Sequence, residues 1–246
     1  MSATIPLPRR LGSEGVGSLL LTATVVGSGI MAERLAAGNL AVALLANTGA
    51  TVAVLAALIA LLGPVSGAHF NPAVSLIEAI RRKLAWPDAG AYVAVQILGC
   101  CGGALLAHLM FEIPVWQASV HIRTGPAQWL AEAVATFGLL LVVLGHRRTE
   151  DAPWMVACWI GAAYWFTAST SFANPAITIA RSLTNTFSGI RPIDVPAFIL
   201  AQLAGALAAW VLARFIFAAP KLSASPAAKN DAATLAADTE GEAARG

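Results

Sequence analysis

Apolar residues fall along this chain in long blocks set apart by short polar breaks: Leu11 to Met31, Leu40 to Leu62, Ala89 to Phe111, Ala127 to Gly145, Pro153 to Ser169 and Val195 to Phe217. Each block has about the 17 to 25 apolar residues that a helix needs to cross a hydrocarbon core, so the pattern predicts a transmembrane helix at every one. Backbone polar groups in lipid must be satisfied within the segment, which favours helices over open strands. Two shorter apolar pieces interrupt the series, Asn71 to Ile80 and Asn174 to Leu183. A helix of about ten residues is only ~15 Å long, half of a core roughly 30 Å thick. Both pieces are therefore expected to enter the membrane without crossing it. The predicted fold class is an all-α polytopic membrane protein with six transmembrane helices and two re-entrant half-helices.

The two halves of the chain repeat one another. Glu14, Asn71-Pro72-Ala73 and Gln96 come in that order in the first half, and Glu132, Asn174-Pro175-Ala176 and Gln202 in the second. Their contexts agree as well: Gln96-Ile97-Leu98-Gly99 resembles Gln202-Leu203-Ala204-Gly205. Features in matching order carry more weight than a repeated triplet alone. Each repeat, about residues 11–111 and 127–217, holds an odd number of full spans, so the second is inserted upside down relative to the first. That is the inverted-repeat plan, in which broken helices meet near the midplane. Residues 1–10 then form a short cytoplasmic segment and 11–217 the membrane domain. Residues 218–246, rich in Ala, Ser, Asp, Glu and Thr and without an aromatic, read as a disordered cytoplasmic tail.

Composition agrees with a membrane location. Charged residues make up 11% of the 246-residue chain and hydrophobic ones 58%, with a mean hydropathy of +0.73. A soluble domain carries about 25% charged residues. The net charge of +2 is small and scattered, which leaves no electrostatic footprint for nucleic acid. Cys100, Cys101 and Cys158 all lie in apolar runs without metal-binding spacing, so they read as small buried hydrophobes. Arg9 and Arg10 precede an apolar stretch that continues past signal-peptide length, which makes it a retained first span. With both termini cytoplasmic, Arg81, Arg82, Lys83, Arg147, Arg148 and Arg214 face inward, while Arg34, Arg123, Arg181 and Arg191 face outward. This is the orientation the positive-inside rule requires.

The triplets have a clear chemical use. Asn at a helix N-cap satisfies orphan backbone donors, and Pro at the next position supplies the right φ while lacking a donor that would go unpaired. Short helices starting back to back at mid-membrane aim their positive ends at one point, where the Asn amides offer further donors to a solute. Such a point favours solute oxygens and repels cations. The irregular chains before each triplet, Ser66 to Phe70 and Ala168 to Ala173, are tolerable at that depth only when buried or lining an aqueous path.

On these residues, Ser66-Gly67-Ala68-His69-Phe70-Asn71-Pro72-Ala73-Val74, Asn174-Pro175-Ala176, Glu14 with Glu132 and Gln96 with Gln202, the chain resembles the aquaporin and aquaglyceroporin family, the major intrinsic proteins, over residues 11 to 217. The resemblance implies a homotetramer in membrane lipid, with one pore per subunit, passing small neutral solutes without a cofactor. It also implies an outer constriction lined by four residues, which by the family's spacing fall at Thr51, Ala162, Ser171 and Ile177. Thr51 stands where an aromatic is usual and Ile177 where Arg is usual, so the opening is expected to be wide and weakly polar. Arg181, one helical turn beyond Ile177, either reaches the outer vestibule or snorkels to the headgroups. The run Asn174 to Leu183 looks like the bacterial aquaporins associated with arsenic resistance. That likeness implies an inner-membrane location and trivalent arsenite in its neutral hydroxide form as cargo, with methylated arsenicals next and glycerol or water as the alternative.

Glu14 and Glu132 are costly inside a membrane unless paired, and the expected role is to accept hydrogen bonds from the loops before the half-helices, with Gln96 and Gln202 in similar service. His69 either lines the cytoplasmic vestibule or braces its loop, and the resemblance favours lining. Gly99 and Gly103 have the small-x-x-x-small spacing of close helix packing. A secondary transporter shares the inverted-repeat plan but needs a coupling carboxylate free to bind a cation, and an ion channel needs an acidic ring or carbonyl filter. Neither pattern is evident, nor is a catalytic constellation or a metal-ligand cluster.

Overall fold

A computed structural model of the chain describes residues 5–146 and 148–217. The elements are α1 (Leu7–Leu35), α2 (Leu40–Ser66), α3 (Pro72–Ile80), α4 (Trp86–Met110), α5 (Pro126–Gly145), α6 (Ala152–Phe166), α7 (Pro175–Arg181) and α8 (Val195–Ile216), the last preceded by a 3-10 turn at Pro192–Asp194. The predicted tail at 218–246 lies outside the described residues. All of the helical fold but the last two residues of α8 belongs to one compact unit that ends at Arg214.

The result is the expected all-α polytopic membrane fold with an inverted repeat. Among the described residues, five helices, α1, α2, α4, α5 and the segment Pro192–Ile216, are long and apolar enough to cross a membrane. The remaining span, α6, has 15 residues and so measures only about 22 Å. It ends at Phe166, short of the Ser169 that the apolar run suggested, because Thr167 turns to an extended backbone at φ −104° and ψ 137°. At the start of the chain, α1 begins at Leu7 rather than Leu11, which brings Arg10 onto the helix and within 2.6 Å of Asp88 on α4.

Close helix approach holds each repeat together. A side chain at Gly99 on α4 would strike the Gly15 carbonyl of α1, one at Gly103 would strike that of Leu19, and one at Gly205 on α8 would strike that of Ala133 on α5. Gly15 and Ala133 directly follow Glu14 and Glu132, so the same contact is made in both halves. The close approach carries those buried carboxylates toward the loops they serve. The core between the helices is continuous, from Leu21 and Val25 on α1 through Leu55 on α2 to Leu139 on α5 and Ile160 on α6.

Candidate functional site: a lumen between two half-helices

The half-helices start head to head. Asn71 and Asn174 have nearly identical extended backbones, φ −154° and −155°, and each caps its own helix: Asn71 Oδ1 accepts from Ala73 N at 2.9 Å and Asn174 Oδ1 from Ala176 N at 2.9 Å. Each amide then reaches across to the other half. Asn71 Nδ2 donates to the Ala173 carbonyl at 2.8 Å, and Asn174 Nδ2 donates to the Phe70 carbonyl at 2.7 Å. This reciprocal clasp uses one amide proton of each Asn. The second remains for the lumen that both residues line.

The loops before the triplets follow a matched path. Ala68 and Phe70 lie at positive φ of 49° and 47°, and Ser171 and Ala173, at the same distances before Asn174, at 52° and 49°. Left-handed backbone at side-chain-bearing residues is strained and persists only where the surroundings over-determine it. Here the surroundings are the buried carboxylates. Glu14 accepts from His69 N at 2.9 Å, Phe70 N at 2.7 Å, Ser66 Oγ at 2.6 Å and Gln96 Nε2 at 2.9 Å. Glu132 accepts from Phe172 N at 2.8 Å, Ala173 N at 2.9 Å and Gln202 Nε2 at 2.6 Å. With these N–H groups turned to the carboxylates, the carbonyls of Phe70 and Ala173 are free to take the crossing Asn amides, and both loops line the lumen. The two glutamines also donate to Ser75 Oγ at 2.9 Å and Thr178 Oγ1 at 2.8 Å, each four residues after its Asn. Sequence reading passed over that hydroxyl pair, although its matched offset is visible in the repeat.

A cavity of about 940 Å³ runs past this midpoint. It is lined by the two loops and the Asn residues together with apolar side chains including Leu21, Val25, Leu55, Val74, Leu139 and Ile160. At the end that carries α3's C-terminus it opens among Glu78, Arg81, Lys83, His146 and Glu150. His69 both lines the cavity and braces the loop, with Nδ1 3.0 Å from Ser75 Oγ.

At the other end, Thr51, Ser171 and Ile177 line the lumen, whereas Ala162 does not. Ala162 is exposed on the outer surface of α6, because the inward stripe of that helix is Val156, Ile160 and Tyr164, at four-residue spacing, and Ala162 sits half a turn away. Tyr164 takes the wall position instead. Arg181 is buried at 3% exposure and lines the lumen, so it does not snorkel to the headgroups. Its Nε donates to the Ser188 carbonyl and its guanidinium lies 3.4 Å from the Phe172 ring centroid. Its two terminal nitrogens make no hydrogen bond to the described residues. Arg123, from the loop before α5, lies 5.0 Å from the same ring and donates to the carbonyls of Gly189 at 2.8 Å and Ser169 at 3.2 Å. Burial draws the Arg123 guanidinium below its ordinary pKa.

The profile of the major intrinsic protein family matches residues 1–165. The chain belongs to that family. It is 56% identical over 212 residues to aquaglyceroporin AqpS of Rhizobium meliloti, covering 85% of this chain and 91% of that protein. It is also 27% identical over 239 residues to the probable aquaporin AqpM of Archaeoglobus fulgidus, covering 84% and 96%. Among solved structures, the aquaglyceroporin from Plasmodium falciparum superimposes with a TM-score of 0.61 over 85% of this chain and 95% of that one. At 19% identity that likeness concerns the fold alone. As a major intrinsic protein, the chain is a multi-pass membrane channel, not an enzyme, and it passes small neutral solutes passively. No arsenic-resistance subgroup is distinguished by these relatives.

Proposed function

We propose that this major intrinsic protein is a glycerol and water channel of the aquaglyceroporin type. The observation that carries the reading is the mixed lining of the lumen, where the pore loops and Asn71 and Asn174, each with one free amide proton, occur together with Leu, Val and Ile side chains. A polyol presents both hydroxyls and C–H groups, so it exchanges water for hydrogen bonds at the polar groups and loses little at the apolar ones. The relatedness to a protein named an aquaglyceroporin supports the same cargo. Thr51, Ser171 and Ile177, with Tyr164 in place of Ala162, form the outer selectivity filter in this reading, and Arg181 supplies its positive field.

A second cargo, the neutral hydroxide of trivalent arsenic and its methylated forms, is favoured by one feature. Ile177, beside the second triplet, gives the wall an apolar residue where a charged one would narrow the opening. We further propose a homotetramer in a bacterial inner membrane with both termini cytoplasmic. Arg10, Arg81 and Arg148 then lie on the cytoplasmic side and Arg34, Arg123 and Arg191 on the outer side. Flux of water, glycerol and arsenious acid through reconstituted vesicles separates the cargoes: glycerol well above protein-free vesicles is expected, and arsenious acid without glycerol would replace the first reading by the second.

A further inference from the structure

Thr51 on α2 and Tyr164 on α6 meet across the outer end of the lumen, with 3.3 Å between their hydroxyl oxygens. The direction of that bond follows from a neighbour. Thr51 Oγ1 is 2.9 Å from the carbonyl of Asn47, an acceptor only, so the threonine proton is committed to its own helix. The tyrosine must therefore be the donor to Thr51. Its phenolic oxygen keeps lone pairs but has no proton left for the lumen. Tyr164 is 4% exposed and Thr51 3%, and both line the cavity, so this oxygen is held in place rather than free to rotate in solvent. The Arg181 guanidinium lines the same cavity, and its terminal N–H groups are donors only.

We propose that Tyr164 is a specificity-determining residue that acts as a fixed hydrogen-bond acceptor, paired with the donors of Arg181, so that the outer filter selects solutes whose groups both donate and accept. A hydroxyl meets both demands at once: its proton goes to Tyr164 and its oxygen receives a proton from Arg181. A solute that only accepts leaves Tyr164 unmet as it passes, and a cation meets the guanidinium. Ile177 adds an apolar surface for the C–H side of a polyol. The chain of donation, from Tyr164 to Thr51 to the Asn47 carbonyl, fixes the polarity through α2 and not through the pore loop.

The inference rests on conduction of hydroxyl-bearing solutes. Stopped-flow permeabilities for water and glycerol are measured with the wild type, Tyr164→Phe and Thr51→Val in reconstituted vesicles, water flux per protein serving as the check on folding. Tyr164→Phe keeps the ring and removes the acceptor, and it is expected to lower the glycerol-to-water ratio about three- to tenfold, the value of one neutral hydrogen bond. Thr51→Val removes the acceptor of the phenolic proton, which is then free to turn into the lumen while the lone pairs remain, and it is expected to lower the ratio by a smaller factor, about twofold. An unchanged or raised ratio in Tyr164→Phe, which a purely steric role gives, overturns the proposal. A ratio in Thr51→Val unchanged from the wild type overturns the fixed polarity. Wild-type glycerol flux no faster than protein-free vesicles contradicts the polyol reading alone, and the same comparison is then made with arsenious acid, whose hydroxyls pose the same demand. Absence of both fluxes overturns both.

Discussion

Glu132 accepts from the two backbone N–H groups of Phe172 and Ala173 and from the amide of Gln202, so its site is built wholly of donors. Replacement by Gln would turn an N–H against one of those donors. Each hydrogen bond to a charged group contributes about 1.5–3 kcal/mol, so Glu132→Gln is expected to cost several times a typical surface change. A markedly lower Tm in detergent, with residual flux lost in parallel, is the expected result. Ile177→Arg acts on the lumen instead: a cation beside the second Asn narrows the opening and is expected to reduce glycerol flux more than water flux. Equal reduction would place Ile177 outside the constriction. The residues that set this architecture were legible because their chemistry is unusual for a membrane: paired Asn, buried Glu and Gln have no bland reading at that depth. Tyr164 and Ala162 were not separated, because family spacing counts residues along the chain while the lumen depends on the rotation of α6. The four-residue stripe Val156, Ile160 and Tyr164 was the available signal.

At the scale of elements, the repeat is held by helix pairs whose spacing is set by glycine. Gly205 lies against the Ala133 carbonyl, so Gly205→Val forces α5 and α8 apart and draws Glu132 off its loop. Overpacking of this kind costs about 1–3 kcal/mol, and a fall in Tm is expected, whereas Gly90→Ala, with no atom of another residue close by, is expected to leave Tm unchanged or raise it. The half-helices were readable from length and from the Asn-Pro start. The C-terminal limit of the first, Ile80, was readable too, but that of the second was not, since Leu183 continues the apolar pattern after α7 has ended at Arg181. The hydrogen bond from Arg181 to Ser188 is a tertiary contact across a loop, which no local pattern announces. For the same reason the choice between snorkelling and vestibule stayed open until the surrounding loop was placed.

Over the whole molecule, the inverted repeat brings two loops, two caps and two carboxylates to one level of the membrane, and the pore is the space left between them. Nothing in that arrangement requires two alternating states. The buried carboxylates are each committed to backbone and amide donors, so neither is free to carry a coupling ion. Polar and apolar groups line the same lumen past this midpoint, which makes the passage suited to a small neutral solute with both kinds of surface. The measurement that bears most directly on this account is the initial rate of glycerol entry into reconstituted vesicles across a range of concentrations, with and without imposed proton and sodium gradients. A rate that rises linearly with concentration, exceeds that of protein-free vesicles and ignores the ion gradients is the predicted result. Entry that saturates and follows an ion gradient, or that never exceeds the protein-free rate, would contradict it.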